Sequence, residues 1–305
     1  MRTRHGRCGM RLRRTKRLAE TFFYETLTMK RQDFRFVQPL RPLAAGQAAQ
    51  GDAFETAVGA YWRALGLAPE LAAASLHGEW RLVAGDSGIA LPAAGDEPID
   101  GAVRCTAVDE SVIRFCCAAF RGEQVLASGE LRYGWAESGS GVPRPVPPAV
   151  RALLQDFEAG QPVVELVTGS WQDLGADAAP VRTAVFIDEQ AIPAEMEWDE
   201  ADHTALHAVV RNRLGRPLAT GRLLIDAPGV ARIGRMAVLR AVRGTNLGRD
   251  VVNALMAAAW ARGDREVILS AQRSAVGFYA RLGFEERGPE YEDAGIPHVD
   301  MVRQR

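Results

Sequence analysis

The segment Arg243-Gly244-Thr245-Asn246-Leu247-Gly248 lies between the apolar run Met236-Ala237-Val238-Leu239 and an alanine-rich stretch. A strand that ends in a glycine turn and opens a helix offers successive backbone N–H donors at the positive end of the helix dipole. That arrangement binds a diphosphate without needing many cationic side chains, so the ligand chemistry is that of a nucleotide-bearing cofactor. The segment has neither the GxGxxG of a dinucleotide fold nor the Lys-Ser or Lys-Thr pair that closes a P-loop. Metal chemistry is not expected. The four cysteines (Cys8, Cys105, Cys116 and Cys117) lack ligand spacing, and the five histidines form no cluster.

The elements around this turn are legible from periodicity. Val251, Val252, Leu255, Met256 and Ala259 recur at three- and four-residue steps, which predicts a helix with one apolar face, ended by Arg262-Gly263. Residues 205–210, 219–225 and 231–238 read as strands bounded by Gly, Pro, Asn and Asp, and residues 267–269 as a short buried strand. Asn246 falls within the turn, where Asn tolerates positive φ better than other non-glycine residues.

The loop resembles the acyl-CoA loop of the GNAT N-acetyltransferases, Gln/Arg-x-x-Gly-x-Gly/Ala, with Arg243 first, Gly248 last and Asn246 where the middle glycine is usual. The resemblance covers residues 161–305. Residues 182–190, followed by Ile192-Pro193, Glu197-Trp198-Asp199 and Asp202, look like the first helix and loop of the ElaA-like branch. Residues 275–284 look like the late helix and its Gly-Phe turn, with Gly283 where a C-cap glycine belongs. The resemblance implies acetyl-CoA as donor, a small amine as acceptor and a mixed, splayed sheet. It places Met236, Ala237, Val238, Arg243, Gly244, Thr245, Asn246, Leu247, Gly248 and Arg249 at the cofactor, with the Val238 N–H on the acetyl carbonyl. It also makes Tyr279 the acid that protonates the departing sulfur, since a phenol keeps its proton through physiological pH. For the base, Glu189, Glu197, Asp199, Asp202 and His207 all fall where substrate would enter. A water-relayed carboxylate, Glu189, is favoured, His207 inside an apolar strand reads equally as a hydrogen-bonded core histidine, and Glu197 to Asp202 reads as a solvated acidic loop that would attract a cationic amine.

The N-terminal half resembles an acyl-CoA thioesterase of the hotdog fold, the 4-hydroxybenzoyl-CoA thioesterase type. A helix over residues 54–65 carries Phe54, Val58, Tyr61, Trp62 and Leu65 at helical spacing and stops at Gly66. Strands are predicted over residues 80–83, 102–108, 112–118 and 124–133, with a helix over 150–157 after Pro147-Pro148. Where that family writes Asp-x-x-Gly-His-x-Asn-Asn, this chain has Ala48-Ala49-Gln50-Gly51-Asp52-Ala53-Phe54-Glu55. Ala48 replaces the catalytic carboxylate and Asp52 the histidine. Asp52 or Glu55 is the residual thioesterase candidate, and the milder reading is a degenerate domain kept for acyl-CoA binding or dimerisation.

The expected organisation is therefore α/β (α+β): a basic leader at residues 1–30, a hotdog domain at 31–160 and a GNAT domain at 161–305. The leader holds Arg2, Arg4, Arg7, Arg11, Arg13, Arg14, Lys16 and Arg17, and Met29 is a sensible alternative start. At 305 residues with 47% hydrophobic content, the chain is long enough for two cores, and a net charge of −1 favours no nucleic acid. No membrane partner is expected; a cytoplasmic homodimer, or a higher homo-oligomer, is. Two other function classes stay open: a thioesterase whose C-terminal half senses CoA, and a non-catalytic acyl-CoA-binding protein.

Overall fold

The computed structural model describes residues 29–40, 50–87 and 98–305. Nearly all of the basic leader, Cys8 within it, residues 41–49 with Ala48 and Ala49, and the side chain of Asp52 lie outside the described residues. Contacts divide the chain into two compact units, one ending at Gln161 and one running from Pro162 to Arg305 together with Arg63–Gly66.

In the first unit β1 (Phe36–Pro39) leads to α1 (Gln50–Ala64) and α2 (Pro69–Leu76). Strands β2 (Gly78–Ser87), β3 (Asp100–Val108), β4 (Val112–Arg121) and β5 (Gln124–Glu137) follow, then α3 (Pro148–Glu158). The strands form a five-stranded antiparallel sheet in the order β1-β3-β4-β5-β2. The apolar stripe of α1 is what holds it there: Phe54, Val58, Tyr61 and Trp62 are buried. Tyr61 and Trp62 meet Phe115 of β4 edge-on, at ring-centroid distances of 5.4 and 5.5 Å. The Tyr61 hydroxyl donates to Glu158 Oε1 at 2.6 Å, which ties α1 to α3.

In the second unit β6 (Val164–Gly169) precedes α4 (Trp171–Arg182), which widens into a π-helical turn, Thr183–Glu189, before the short α5 (Ala194–Glu197). A meander of β7 (Leu206–Asn212), β8 (Pro217–Ala227) and β9 (Val230–Val238) leads into α6 (Leu247–Arg262). Then come β10 (Glu266–Gln272), α7 (Val276–Ala280), β11 (Glu285–Asp293) and β12 (Ile296–Gln304). The sheet is seven-stranded and mixed, in the order β11-β12-β10-β9-β8-β7-β6. The buried stripe of α6 is Leu247, Val251, Val252, Leu255, Met256 and Ala259, as its periodicity predicts.

Two sequence expectations are corrected. The first helix begins at Trp171, ahead of residue 182, with Ser170 Oγ capping it by accepting from the Asp173 N–H. Gly175 and Pro180 inside this helix weaken its sequence signal, yet buried Leu174, Ala178 and Val181 hold it to the sheet. The acidic stretch is only half a solvated loop: Asp199 and Glu200 are exposed, but Glu197 and Asp202 are 2% and 3% exposed, because Arg182 and Arg222 meet them in the interior. Among the described residues no helix is long and apolar enough to cross a membrane.

Candidate active site

The second sheet forks. β9 pairs in parallel with β10 only from Val230 to Ile233, against Glu266 to Leu269, although β9 continues to Val238 and β10 to Gln272. On its other edge β9 carries a bulge. Thr220 faces Ala237 and Arg222 faces Gly234, so β9 spends one residue more than β8 over this interval. Arg235 sits there at φ 51°, and Gly221 lies opposite with no room for a side chain; a Cβ would stand 2.5 Å from Met236 Sδ.

Two cavities open at this fork. One, of about 420 Å³, is lined from β9 by Gly234, Arg235 and Met236, from β10 by Ser270 and Gln272, and from β12 by His298. The other, of about 640 Å³, is lined by Met236, Val238, Arg243, Gly244, Asn246, Leu247, Gly248 and Arg249, with Phe278 and Tyr279 opposite. Gln190, Met236, Gln272, Ala275 and Tyr279 line both, so they form a common wall. Gln272 Nε2 donates to Gln190 Oε1 at 3.0 Å across that wall.

The glycine turn takes the conformation its residues allow. Gly244 has φ 84° and Asn246 has φ 70°, both left-handed, directly before α6. The Thr245 hydroxyl donates to the Val242 carbonyl at 2.6 Å, and Asp250 N–H donates to the Asn246 carbonyl at 3.1 Å. Arg243, in the wall of the same cavity, is engaged by its neighbours. Its guanidinium grips both oxygens of Glu189 at 2.7 Å, and its Nε donates to the Val238 carbonyl at 3.1 Å. A 16-residue helix whose first residues line a cavity can hold a diphosphate through its free backbone N–H groups.

Tyr279 is buried in α7, its ring edge-on to Phe278 at 4.9 Å and to Phe284 at 6.0 Å. Its carbonyl accepts from both Leu282 and Phe284, a turn that Gly283 closes at φ 81°. Burial pushes the phenol up to about 12. Glu189 is held on Arg243, whose hydrogen bonds lower its pKa below the ordinary carboxylate value. His207 lies inside β7 with Nε2 2.9 Å from the Asp202 carbonyl, and burial lowers its pKa. Neither Glu189 nor His207 lines the cavities.

Beside the 420 Å³ cavity runs an acid–arginine network that the sequence did not disclose. Arg182 donates to Glu197 Oε1 at 2.5 Å and to Asp202 Oδ1 at 2.8 Å, and its guanidinium lies 5.4 and 4.7 Å from the rings of Trp171 and Trp198. Arg222 donates to Asp199 and Asp202 at 2.6 and 2.7 Å; Arg235 donates to Asp199 and to the Glu197 carbonyl at 3.1 Å and is ion-paired with Glu197 Oε2 at 3.1 Å. Burial pushes Asp202 up, but Arg182 and Arg222 outweigh it and hold the carboxyl below its ordinary value. For Glu197 burial prevails over Arg182 and raises it. The other residue missed was His298, set in Gly295-Ile296-Pro297-His298; its signal is a histidine at the start of an apolar alternation, Val299 and Met301 being buried.

Known proteins resemble this half of the chain. Residues 172–305 match the acetyltransferase (GNAT) domain family. YjcF, an uncharacterised N-acetyltransferase of Bacillus subtilis, is 38% identical over 128 residues, 42% of this chain and 90% of that protein. The crystal structure of Escherichia coli ElaA is 27% identical over 46% of this chain and 99% of its own, with a TM-score of 0.42. An acyl-CoA N-acyltransferase from Pseudomonas aeruginosa is 31% identical over 46% and 99%, with a TM-score of 0.42. A relative this similar, matched over nine tenths of its length, places the chain in the GNAT acetyltransferase family.

Proposed function

We propose that the unit from Pro162 onward transfers an acyl group from acetyl-CoA or a related acyl-CoA directly to a small amine. The observation that carries this is the pair of cavities meeting at the fork between β9 and β10, with Met236 and Tyr279 in their common wall. The larger cavity opens onto the turn and the start of α6, where backbone N–H groups of residues 244–248 take the donor's diphosphate. Because Arg243 is spent on Glu189, that grip comes from the main chain, and Glu189 serves to hold the loop. The Val238 N–H, at the end of β9, supports the acyl oxygen as negative charge develops on it.

Tyr279 faces the leaving sulfur. Burial holds its phenol well above an ordinary thiol, so complete proton transfer to the departing sulfur is uphill. Tyr279 therefore acts first as a hydrogen-bond donor that stabilises the departing thiolate. Thiol release from acetyl-CoA by purified protein, with and without a panel of amines, tests the reading. Amine-dependent release that Tyr279→Phe lowers by about tenfold or more supports it; equal release with and without amine refutes it.

For the unit ending at Gln161 we propose a hotdog-type domain that binds acyl-CoA. A helix following the first strand and the sheet order β1-β3-β4-β5-β2 support this. Its residual carboxylate is Glu55, exposed on α1; burial and then the Glu55 charge push the Tyr133 phenol up. The edge strand β2 carries exposed Leu82 and Val83, which supports pairing with a second copy of the chain. Sedimentation as a monomer refutes the pairing.

A further inference from the structure

Transfer to an amine needs a group that takes a proton from nitrogen on the acceptor side of the fork. We infer that His298 Nε2 is that group; the inference rests on the transferase reading. His298 lines the 420 Å³ cavity together with Tyr279, and the residue is 9% exposed. Its Nδ1 lies 2.7 Å from the Ile296 carbonyl. A carbonyl only accepts, so Nδ1 carries the hydrogen and the lone pair of the neutral ring is left on Nε2. The ring is fixed from one face by Tyr291, stacked at 6.1 Å and 21°, whose hydroxyl is held by Asp300 at 2.8 Å and by Ser270. β12 sets it directly across from Gln272 of the common wall. The hairpin that presents it turns through Ala294 and Gly295, both at positive φ, which brings Asp293 and Ile296 into register.

The other charged groups around this cavity are already engaged or sit at its rim. Glu197 has one oxygen on Arg182 and the other on Arg235. Arg222 is paired with Asp199 and Asp202, and Arg232 with Asp226. Asp293 is exposed at the turn, and Asp300 accepts from Tyr291 and Ser270. An imidazole in the wall of this cavity, its lone pair on Nε2, is thus the group suited to proton abstraction.

The step balances. The acceptor enters as an ammonium and gives one proton to His298 Nε2, which later passes it to water. The freed nitrogen pair forms the C–N bond as the C–S bond breaks. The nitrogen loses its second proton as sulfur gains one, leaving an amide and a thiol. No oxidant or metal is required.

The test compares the full-length wild type with His298→Gln and His298→Ala. It measures amine-dependent kcat/KM against pH, acetyl-CoA binding by calorimetry, and rescue by added imidazole. His298→Gln should lose about 100-fold or more of kcat/KM, keep wild-type affinity for acetyl-CoA, and lose the acidic limb of the profile. Imidazole should restore part of the rate of His298→Ala. A variant that keeps the wild-type acidic limb, or whose rate imidazole leaves unchanged, overturns the base assignment while the transferase reading stands. A wild type without amine-dependent release removes that reading and this inference together.

Discussion

Gly221 should control the acyl site from the opposite strand. A Cβ placed there would stand 2.5 Å from Met236 Sδ, 2.9 Å from Val251 Cγ1 and 3.0 Å from Leu255 Cδ1. Carbon contacts are comfortable only from about 3.5 Å, so Gly221→Ala forces the Met236 thioether back by about 1 Å. Overfilling a packed site in this way costs about 1–3 kcal/mol. At roughly 2–4 °C per kcal/mol for a unit of this size, a cost of about 2 kcal/mol lowers the melting temperature by about 4–8 °C. Met236 lines both cavities, so acetyl-CoA affinity should weaken with the same substitution. Met236→Ala removes the closest atom, and the double variant should therefore be more stable than the sum of the singles by about 1 kcal/mol. Relief stays partial because Val251 and Leu255 of α6 remain in place. Thermal or urea melts of the four proteins, with calorimetric titration of acetyl-CoA, measure the coupling. Strict additivity, or a Gly221→Ala protein that melts with the wild type, would show that residue 221 and Met236 do not compete for the same space.

Arg182→Met removes a guanidinium that is 1% exposed and leaves Glu197 and Asp202 short of their shared partner, so urea unfolding should show a loss of about 3–5 kcal/mol. Stability should also fall in acid by two routes with the same sign. Burial depresses His207, so its contribution is complete above an unfolded pKa of about 6.5 and is lost as pH falls toward the folded value. Asp199 and Asp202, both held below their ordinary values, withdraw theirs below about 3.9. Melting temperature against pH should therefore begin to drop near 6.5, and His207→Gln should flatten that first descent; an unchanged curve in the variant disproves the assignment. At the turn, Asn246→Gly relieves a left-handed residue and should keep or tighten acetyl-CoA binding, whereas Asn246→Val should weaken it by about tenfold or more, since a branched side chain resists φ 70°.

What the sequence disclosed was local. The turn could be read because Gly244 and Asn246 are residue types that accept positive φ, and α6 because its apolar repeat is short-range. Tyr279 stood beside a glycine turn that Gly283 makes necessary. What stayed hidden depends on pairing between distant strands. Nothing in Glu197 to Asp202 says that Arg222 of β8 will arrive beneath it, so two carboxylates of a run that looks solvated, Glu197 and Asp202, join an interior network. The parting of β9 from β10 is likewise a matter of register between strands separated by α6. His298 needed the hairpin of β11 and β12 before its place in a cavity had meaning.

The network and the fork are one mechanical system. Arg235 holds a left-handed backbone that costs a non-glycine residue about 1–2 kcal/mol. Its guanidinium donates to the Glu197 carbonyl at 3.1 Å and meets the carboxylates of Glu197 and Asp199. Those carboxylates are in turn fixed by Arg182 and Arg222, whose neighbours are Trp171, Trp198 and Asp202. The ion pairs thus oppose relaxation of the bulge, and the bulge sets where Met236 stands between the two cavities. Loosening Arg182 should therefore reach the acyl site through Arg235, although Arg182 lines neither cavity. Under conditions where Arg182→Met is still folded, its acetyl-CoA affinity should fall, and Arg235→Gly, which accepts the same φ without the ion pairs, should lose less. Equal losses in the two variants would show that the charges, not the bulge, are what the site requires.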